Sequence, residues 1–499
     1  MKLRNLLSFI PGQDLNAIPD LSVTGVFDRV QDVKENSIFV AVSGAKVDGH
    51  TYLGEAVARN ASVLVVKNRA LVPINFTGYV LIVENPRKTL GQLASHYYGN
   101  PSHHLFAVGI TGTNGKTSLT YLIEHLLNDF GFMTGVIGTI NHHLEKRVWP
   151  TAMTTPSSPT LQARIKEFKE EGATALAMEV SSHALHQYRV DGVSFNCVVF
   201  TNLTRDHLDY HENMESYFEA KQRLFSDLLW QSGKHPIYAV VNQDDEWGRK
   251  LKVADSAVLW TYGREPSDFR FQVTGSTFDG TEFNLYHANH TYQAFTPLIG
   301  LHNVYNSVAA MAVAVSAGMD LDRVLHSLDT FEGVPGRLQH VPNTRGLHIF
   351  VDYAHTPDAL ENVLKSLRQL RTENKESSKI WCIFGCGGDR DKGKRPMMGK
   401  IASELADFVV ITSDNPRTEN PESIIKDVQK GIAHSSRIKL HTEVDREKSF
   451  AWVLGNCSSN DIILVAGKGH EDYQIIGEIK NHFNDFQILK LMASGESLA

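Results

Sequence analysis

The chain has 499 residues, 42% of them hydrophobic and 21% charged, which is typical of a globular protein and excludes a disordered or fibrous one. Its 49 Lys and Arg residues against 56 Asp and Glu residues give a net charge of −7, which excludes a broad basic face for nucleic acid or anionic lipid. No run approaches the roughly 20 apolar residues of a membrane span, so we expect a cytoplasmic protein of about three domains.

The first 104 residues form, by their pattern, a separate small α/β unit. From residue 105 onward, short β-branched runs alternate with helical stretches, a pattern that predicts βαβ units and a mostly parallel sheet. We expect strands at 105–110, 135–139, 174–180, 197–203 and 237–242, with helices at 118–130 and 159–171. Alternating runs at 269–299 predict a small antiparallel excursion before a helix at 303–317.

Gly and Pro residues at 331–341 predict a linker, after which a second α/β set begins. We expect its strands at 347–352, 379–384, 407–412 and 462–466. The fold class is therefore α/β, with three domains at 1–104, 105–334 and 335–499, the central one built on a P-loop ATPase-type parallel sheet.

The stretch GITGTNGKTS (109–118) lies between a predicted strand and a predicted helix. Such a Gly-rich turn aims backbone N–H groups and the positive end of the helix at a phosphate. Lys116 would reach the β- and γ-phosphates of ATP, and Thr117 or Ser118 would offer a hydroxyl to Mg²⁺. Ile110 stands where the strict P-loop pattern has Gly, and a plain connecting turn is the alternative.

Three later residues could complete a catalytic site. Glu179 ends a predicted strand, His207 follows the next one, and Lys221 lies on a helix after that. Because open α/β sheets bind ligands at the carboxyl ends of their strands, Glu179 is a candidate oxygen ligand of Mg²⁺. Taken singly, the three residues could instead be a solvated carboxylate, a core histidine and a surface lysine.

Together with the phosphate loop, these stretches resemble the Mur ligase family, the ATP-dependent amide-forming enzymes of peptidoglycan synthesis. Six further segments fit the family in order, so the resemblance spans nearly the whole chain. They are GLHNVYNSVAA (300–310), GVPGRLQ (333–339), VDYAHTPD (351–358), FGCGGDRDKGKRP (384–396), SDNPRTENP (413–421) and AGKGHEDYQ (466–474).

The resemblance implies a UDP-sugar-binding domain, a central ATP-binding domain and a Rossmann-like, amino-acid-binding domain at the three ranges given above. The implied reaction adds meso-diaminopimelate to the D-Glu side-chain carboxylate of UDP-N-acetylmuramoyl-L-Ala-D-Glu through an acyl phosphate, with a monomer as the expected state. A lysine-adding relative and a folylpolyglutamate-type ligase are the nearest alternatives. A P-loop switch or motor, which would need no amino-acid pocket, is the alternative from another class.

The resemblance also implies residue roles. The expected catalytic residues are Lys116, Glu179, His207 and Lys221, and the expected metal set is Thr117, Glu179, His207 and carbamylated Lys221. The expected ATP contacts are Gly112, Thr113, Asn114, Gly115, Lys116, Thr117, Ser118, Asn303, Arg337 and Asp352. The expected UDP-muramoyl-dipeptide contacts are Ala45, Lys46, Val47, Thr154, Thr155, Ser181, Gln187 and Arg189. The expected diaminopimelate contacts are Arg390, Asp414, Asn415, Pro416, Arg417, Gly467 and Glu471.

The choice of amine depends on one chemical difference. Diaminopimelate carries a carboxylate on its far carbon that lysine lacks, so a cationic pocket separates the two. Arg417 can hold a carboxylate with its planar fork, with Arg390 nearby by resemblance. Asp414 and Glu471 can accept from the distal ammonium, and Gly467 leaves room for backbone contact. Asn415 and Pro416 could equally form a turn that ends a strand.

Overall fold

The computed structural model describes residues 1–10, 14–44, 47–151, 153–374, 377–432 and 439–494. They form two compact units. The first unit comprises Met1–Phe271, Leu285–Thr291 and Tyr305–Leu328, and the second comprises Gln272–Asn284, Tyr292–Val304 and the chain from Asp329 onward. Among the helices of these described residues, none is long and apolar enough to span a membrane.

The first unit begins with a sheet of four parallel strands, which lie in chain order. The strands are Val26–Phe27, Ile38–Val40, Val63–Val66 and Tyr79–Ile82, and the helices are Leu3–Leu7, Leu53–Ala58 and Pro86–Tyr97. Alternate residues of the strands enter two different cores: Ile38 and Val63 pack on one face, and Phe39 and Leu64 on the other. Burial on both faces explains the unbroken apolar runs of these strands.

The large sheet of the first unit confirms the five strands expected in the central region. In spatial order, the eight of its strands that lie wholly in the first unit are Val258–Gly263, Tyr238–Asn242, Cys197–Phe200, Phe106–Thr111, Ala175–Glu179, Thr134–Ile137, His142–Leu144 and Arg147–Trp149. All pairings are parallel except those of the last two strands, which form a hairpin. The strand that leads into the phosphate loop is therefore central, with Glu179 at the end of a neighbouring strand.

The helices around this sheet include those expected at 118–130, 159–171 and 303–317 and the one expected to carry Lys221, together with three that were not expected, Ser182–His186, Leu208–His211 and Leu321–Asp329. They are Lys116–Asp129, Ser158–Glu170, Ser182–His186, Leu208–His211 and Met214–Arg223, followed further along the chain by Leu301–Ser316 and Leu321–Asp329. In the first of these helices, Leu119, Leu122, Ile123 and Leu126 are buried at helical spacing, which seats the helix on the sheet.

The expected antiparallel excursion is present as three neighbouring strands. They are Phe269–Thr277, Gly280–His287 and His290–Thr296. Two-residue connections join them at 278–279 and 288–289, and connections this short link only antiparallel strands.

The second unit contains a six-stranded sheet that confirms the four strands expected in the C-terminal region. In spatial order the strands are Gln339–His340, His348–Asp352, Ile462–Ala466, Ile380–Phe384, Phe408–Thr412 and Lys439–Glu443. Only the first strand, which falls inside the expected linker, pairs antiparallel. The helices are Pro357–Glu373, Lys394–Leu405, Pro421–Gln429, Arg446–Asn456 and Asp485–Ser494, and a hairpin joins Tyr473–Ile476 to Ile479–His482. Both faces of the sheet are covered by apolar cores.

Candidate active site

The phosphate loop needs glycine at two positions. Gly112 has φ +149° and Gly115 has φ +87°, conformations that favour glycine. A Cβ at Gly112 would lie 1.9 Å from Thr201 Oγ1, and a Cβ at Gly115 would lie 2.5 Å from Asn306 Oδ1. The helix then begins at Lys116 and not at residue 118, so its unpaired first-turn N–H groups belong to the loop itself.

The residues directly after the strand Cys197–Phe200 hold this loop in place. The N–H of Thr113 donates to Asn202 O (2.8 Å) and the N–H of Asn114 to Asn202 Oδ1 (3.0 Å). Thr201 Oγ1 donates to Asn114 O at 2.6 Å. The amides of Thr113 and Asn114 are therefore committed within the protein, which leaves the first turn of the helix at Lys116 as the anion-facing part of the loop.

Two lysine amines converge on one carbonyl of the loop. Lys116 Nζ donates to Gly112 O (3.0 Å) and Thr113 O (2.8 Å), and Lys221 Nζ donates to Gly112 O at 2.8 Å. Lys221 is fully buried, and that burial, reinforced by the charge of Lys116, holds the pKa of Lys221 well below its usual value. The site therefore favours the neutral, nucleophilic form of this amine.

Glu179 lies within a shell of hydrogen-bond donors. Its Oε1 accepts from Thr117 Oγ1 (3.0 Å) and from the N–H of Thr139 (2.9 Å), and its Oε2 accepts from Thr139 Oγ1 (2.9 Å). Only 1% of Glu179 is exposed. The carboxylate is thus fixed against the first turn of the phosphate-loop helix, with an orientation set by two threonines.

Tyr217 connects the remaining expected residues. Its hydroxyl lies 3.2 Å from Thr113 Oγ1, and its ring centroid lies 4.6 Å from Lys221 Nζ and 6.0 Å from the ring of His207. His207 has φ +53° and also contacts the ring of His183. Sequence reasoning missed Tyr217, although its position one helical turn before Lys221 was a usable signal.

The donor set at this site fits Mg²⁺. Thr117 Oγ1 and Glu179 Oε1 are hard oxygen donors 3.0 Å apart at the start of the helix that would hold a phosphate. Magnesium prefers such oxygens and takes its remaining ligands from water and substrate phosphate. A carboxylate-like modification of Lys221 would add an oxygen donor. In the described part of the chain, His207 is linked to this site only through its ring contact with Tyr217, and no three His, Cys, Asp or Glu side chains are grouped to hold a metal ion.

The residues expected to hold the dipeptide form one connected group. Thr155 Oγ1 donates to Glu179 O (2.8 Å) and accepts from the N–H of Ser181 (3.1 Å). Arg189 donates to Thr155 O (2.9 Å) and to Gln187 Oε1 (2.7 Å). Thr154 Oγ1 lies 3.1 Å from Thr139 Oγ1 and so reaches the Glu179 shell. Val47 is half exposed, whereas Ala45 and Lys46 lie outside the described residues.

A cavity of about 850 Å³ adjoins this group within the first unit. Gln187 and Tyr210 line one part of it, and Lys67, Arg87 and Lys88 bring three cations to another. Gln187 Nε2 donates to the Tyr210 hydroxyl at 2.9 Å. Sequence reasoning missed the three cations, although Pro86-Arg87-Lys88 opens a helix directly after a strand of the N-terminal sheet, a position suited to an anion.

Three expected ATP contacts lie in the second unit. Asp352 is buried, and its carboxylate accepts from the N–H groups of Leu338 (2.7 Å) and Ala354 (2.8 Å). Burial raises the pKa of Asp352, and the charge of Arg337 opposes that shift. Asn303 is buried and donates to Ile299 O at 2.9 Å.

The expected amino-acid residues converge at the carboxyl ends of the strands of the second unit. Asn415 Nδ2 donates to Glu471 Oε2 at 2.9 Å, which joins two segments 56 residues apart. Among the described residues, no hydrogen-bond donor meets the buried Asp414 Oδ1. Gly467 has φ +112°, and a Cβ there would lie 3.3 Å from Asp414 Oδ2. The pocket therefore presents a buried carboxylate oxygen beside a position without a side chain.

Arg417 and Arg390 both reach Gly387 in this pocket. A Cβ built at Gly387 would lie 3.1 Å from Arg417 Nη1 and 3.6 Å from Arg390 Cγ. Arg417 Nη1 donates to Gly388 O at 2.8 Å, which anchors the guanidinium. Pro416 O also packs tightly on Gly388. The guanidinium of Arg417 and the aliphatic stem of Arg390 thus lie at one glycine-lined corner of the pocket.

The first unit has a parallel sheet, a Gly-rich phosphate loop and a Glu beside that loop, which together define a P-loop nucleotide-binding protein. The second, doubly wound unit has a ligand crevice of its own. Residues 110–314 match the Mur ligase middle domain, and residues 336–469 match the Mur ligase glutamate ligase domain. The chain belongs to the Mur ligase family, as its motifs indicated, and the α/β fold class is confirmed.

Similar proteins cover almost the whole chain. UDP-N-acetylmuramoyl-L-alanyl-D-glutamate--2,6-diaminopimelate ligase of Geobacillus kaustophilus is 41% identical over 97% of this chain and 98% of its own. Its namesake in Geobacter metallireducens is 41% identical over 97% of both chains. A solved structure of a ligase of this name has a TM-score of 0.73 and 31% identity, covering 98% of both chains. MurF ligase of Thermotoga maritima in complex with ADP shares the fold, with a TM-score of 0.56 and 20% identity over 91% of this chain and 96% of its own.

Proposed function

We propose that the chain is an ATP-dependent, ADP-forming amide ligase that adds meso-diaminopimelate to the D-Glu side-chain carboxylate of UDP-N-acetylmuramoyl-L-Ala-D-Glu. The observation that carries this proposal is the similarity, over nearly the full length, to relatives named for this ligation. The reaction builds a peptidoglycan precursor, and because it consumes ATP we place it in the cytoplasm. We propose a monomer with domain boundaries near 104 and 334.

Activation of the carboxylate is the first chemical step. A carboxylate resists attack by an amine because it is a poor electrophile with no good leaving group. Transfer of the γ-phosphoryl group of ATP to the D-Glu carboxylate gives an acyl phosphate, which the amine then attacks with loss of phosphate. Two anions must approach each other, so Lys116 and the first-turn amides of its helix offset their repulsion. The loop residues Gly112, Thr113, Asn114, Gly115, Thr117 and Ser118 complete the proposed phosphate site.

The proposed metal site uses Thr117, Glu179, His207 and carbamylated Lys221. Bound Mg²⁺ would supply positive charge beside the transferred phosphoryl group. The depressed pKa of Lys221 supports the modification, because only a neutral amine attacks CO₂. The amine nitrogen forms a bond to the carbon of CO₂ and releases a proton, which leaves a carbamate with two oxygens in place of a cation.

The first substrate is proposed to lie along the first unit. Among the cationic side chains that line the 850 Å³ cavity, Lys67, Arg87 and Lys88 are suited to the diphosphate of the UDP-sugar. The hydrogen-bonded residues around Thr155 and Arg189, which adjoin Glu179, are proposed to hold the dipeptide. The proposed contacts are Thr154, Thr155, Ser181, Gln187 and Arg189, together with Ala45, Lys46 and Val47.

The second unit is proposed to select the amine. Arg417, with Arg390, holds the far carboxylate of diaminopimelate, while Asp414 and Glu471 accept from the ammonium beside it. Lysine would leave the partly buried Arg417 without its anion, at a cost of about 1–3 kcal/mol. Asn415, Pro416 and Gly467 shape the pocket, and Asn303, Arg337 and Asp352 are proposed ATP contacts. The lysine-adding alternative is disfavoured by Arg417.

A substrate panel tests the proposal. Purified protein receives ATP, Mg²⁺ and UDP-N-acetylmuramoyl-L-Ala-D-Glu with meso-diaminopimelate, lysine, glutamate or no amine, and phosphate release and the ligated product are measured. We expect product with diaminopimelate and at least about tenfold less with lysine. Phosphate release that is independent of both substrates would support a switch or motor, and product with lysine alone would support the alternative ligase.

A further inference from the structure

Lys468 is a buried cation in the second unit that lies inside the segment AGKGHEDYQ (466–474) but has no role in the proposed chemistry. It is fully buried, at the end of the strand Ile462–Ala466. Its Nζ donates to Glu471 Oε2 (3.2 Å), to Asn415 Oδ1 (3.5 Å) and to the carbonyl of Tyr473. The same Nζ lies 3.7 Å from Asp414 Oδ1. A lysine is almost never buried without partners, and these partners are the proposed amine-binding carboxylates and their neighbours.

The charges around Lys468 nearly balance. Asp414 and Glu471 contribute two negative charges, and Lys468 contributes one positive charge. Behind them, Arg446 and Asp485 form a buried pair at 2.6 Å that is neutral overall. Asp414, Glu471 and Lys468 together therefore carry a net charge of −1, which a single incoming ammonium would neutralise, while Arg417 and Arg390 are the proposed partners of the ligand's carboxylate. Without Lys468, the buried Asp414 would lose the largest charge that opposes the rise of its pKa, and a protonated carboxyl group accepts an ammonium poorly.

Lys468 also fixes the geometry of both carboxylates. It lies between the segment that begins at Asp414 and the segment that contains Glu471, and Asn415 spans the same gap through its amide. The N–H of Ile475 donates to Asn415 Oδ1 at 2.9 Å, which ties the hairpin strand to this contact. Because Asp414 and Asn415 come from one segment and Glu471 and Tyr473 from another, Lys468 sets the spacing of the two carboxylates before any substrate arrives.

We propose that Lys468 is a positioning residue for the diamine, which offsets the charge of Asp414 and Glu471 and keeps the two carboxylates correctly spaced to accept one ammonium group. This inference rests on the proposed function and adds to it the residue that prepares the amine pocket. The partners of Lys468 named above all belong to the second unit, so we expect its effect to be confined to the amine.

Steady-state kinetics of Lys468→Met test the inference. Loss of one charge from a buried cluster leaves its partners uncompensated, so we expect the KM for diaminopimelate to rise by about 100-fold. We expect the KM values for ATP and the UDP-linked substrate to change by less than about threefold, since neither needs the pocket. Lys468→Arg keeps the cation and should recover at least about tenfold of the loss. The matched control, Lys448→Met, removes an exposed lysine of the same unit and should behave as the unmodified enzyme.

A pH profile separates charge from simple packing. Burial raises the pKa of Asp414, and Lys468 is the largest charge that opposes this shift, followed by Arg446. Glu471 and Asp485 act in the opposite direction, and the charged groups around the neighbouring Tyr473 include Arg417. Without Lys468 the carboxyl group keeps its proton to higher pH. The diaminopimelate KM of Lys468→Met should therefore fall as pH rises from 6 to 9, more steeply than in the unmodified enzyme.

The outcomes are distinguishable. If the unmodified protein does not ligate diaminopimelate, the proposed function fails. If it does, and Lys468→Met keeps its diaminopimelate KM within about threefold or raises all three KM values equally, this inference fails alone. Should Lys468→Met not fold, as judged by circular dichroism, Lys468→Gln replaces it, because the amide keeps two donors for Glu471 and Tyr473 but loses the charge. A normal diaminopimelate KM in that variant would overturn the role of the charge.

Discussion

The role of Arg417 gives the sharpest test of amine selection. Its backbone is held independently of its side chain, since its N–H donates to Ile475 O (3.1 Å) and its carbonyl accepts from the N–H of Gly477 (2.8 Å). Truncation in Arg417→Ala should therefore leave the loop in place. Residue 417 has a φ of +50°, a conformation that disfavours arginine and alanine alike. Replacing arginine with alanine therefore adds little backbone strain of its own.

The magnitude follows from the guanidinium contacts. Arg417 Nη1 is engaged with Gly388 O, so Nε and Nη2 are the donors we expect to face the far carboxylate of diaminopimelate. Two charge-assisted hydrogen bonds, each contributing about 1.5 kcal/mol at the low end of the range, amount to about 3 kcal/mol. This corresponds to an increase of about 150-fold in the KM for diaminopimelate. Arg417→Lys keeps the positive charge but lacks the planar guanidinium, so its KM for diaminopimelate should lie between those of the unmodified protein and Arg417→Ala.

The assay is initial-rate phosphate release at saturating ATP and UDP-linked substrate, with diaminopimelate or lysine varied. We expect Arg417→Ala to lose diaminopimelate efficiency while its efficiency with lysine changes by less than about threefold, so that the preference collapses. A diaminopimelate KM that rises less than about fivefold, or an ATP KM that rises as much, would refute an arginine-held carboxylate.

Four further predictions concern other parts of the chain. Lys221→Ala should lower turnover at least about 100-fold, with no recovery on adding bicarbonate, as measured by phosphate release. Glu179→Gln should raise the Mg²⁺ concentration needed for half-maximal rate, because an amide is a weaker ligand than a carboxylate. Arg446→Met should lower the free energy of unfolding by about 3–5 kcal/mol in urea, since it strands buried Asp485. Burial lowers the pKa of His142 to about 4, so the unfolded state binds a proton on this imidazole at higher pH than the folded state does. The contribution of His142 to the free energy of unfolding should therefore be constant above about pH 6.5 and decrease as the pH falls toward 4.

Each of these has its own control. Lys146→Ala removes an exposed lysine of the first unit and should leave turnover unchanged. An unchanged Mg²⁺ requirement in Glu179→Gln would remove this carboxylate from the metal site. The double variant Arg446→Met with Asp485→Leu should regain most of the lost stability, and no recovery would show that packing, not the ion pair, was lost. His142→Asn should flatten the acid dependence, measured as urea midpoints from pH 7 to 4.5.

The positions of the strands could be predicted from the sequence, because short, continuous runs of apolar β-branched residues are typical of strands that are buried on both faces of a sheet. Their ends were less predictable. The strand expected at 197–203 stops at Phe200, since Thr201 and Asn202 turn aside to brace the phosphate loop. The helix expected from residue 118 starts two residues earlier, because Gly115 takes a left-handed conformation that closes the loop directly onto Lys116.

The sequence by itself determined the α/β class, the phosphate loop and the family, because each depends on residue types at short, fixed spacing. Only the tertiary structure decided which side chains meet. Tyr217 reaches Thr113 across 104 residues, and Lys468 joins Asn415 across 53, contacts that no local pattern encodes. A buried lysine and a surface lysine have the same letter in the sequence, and they differ only in the water that the fold removes around them.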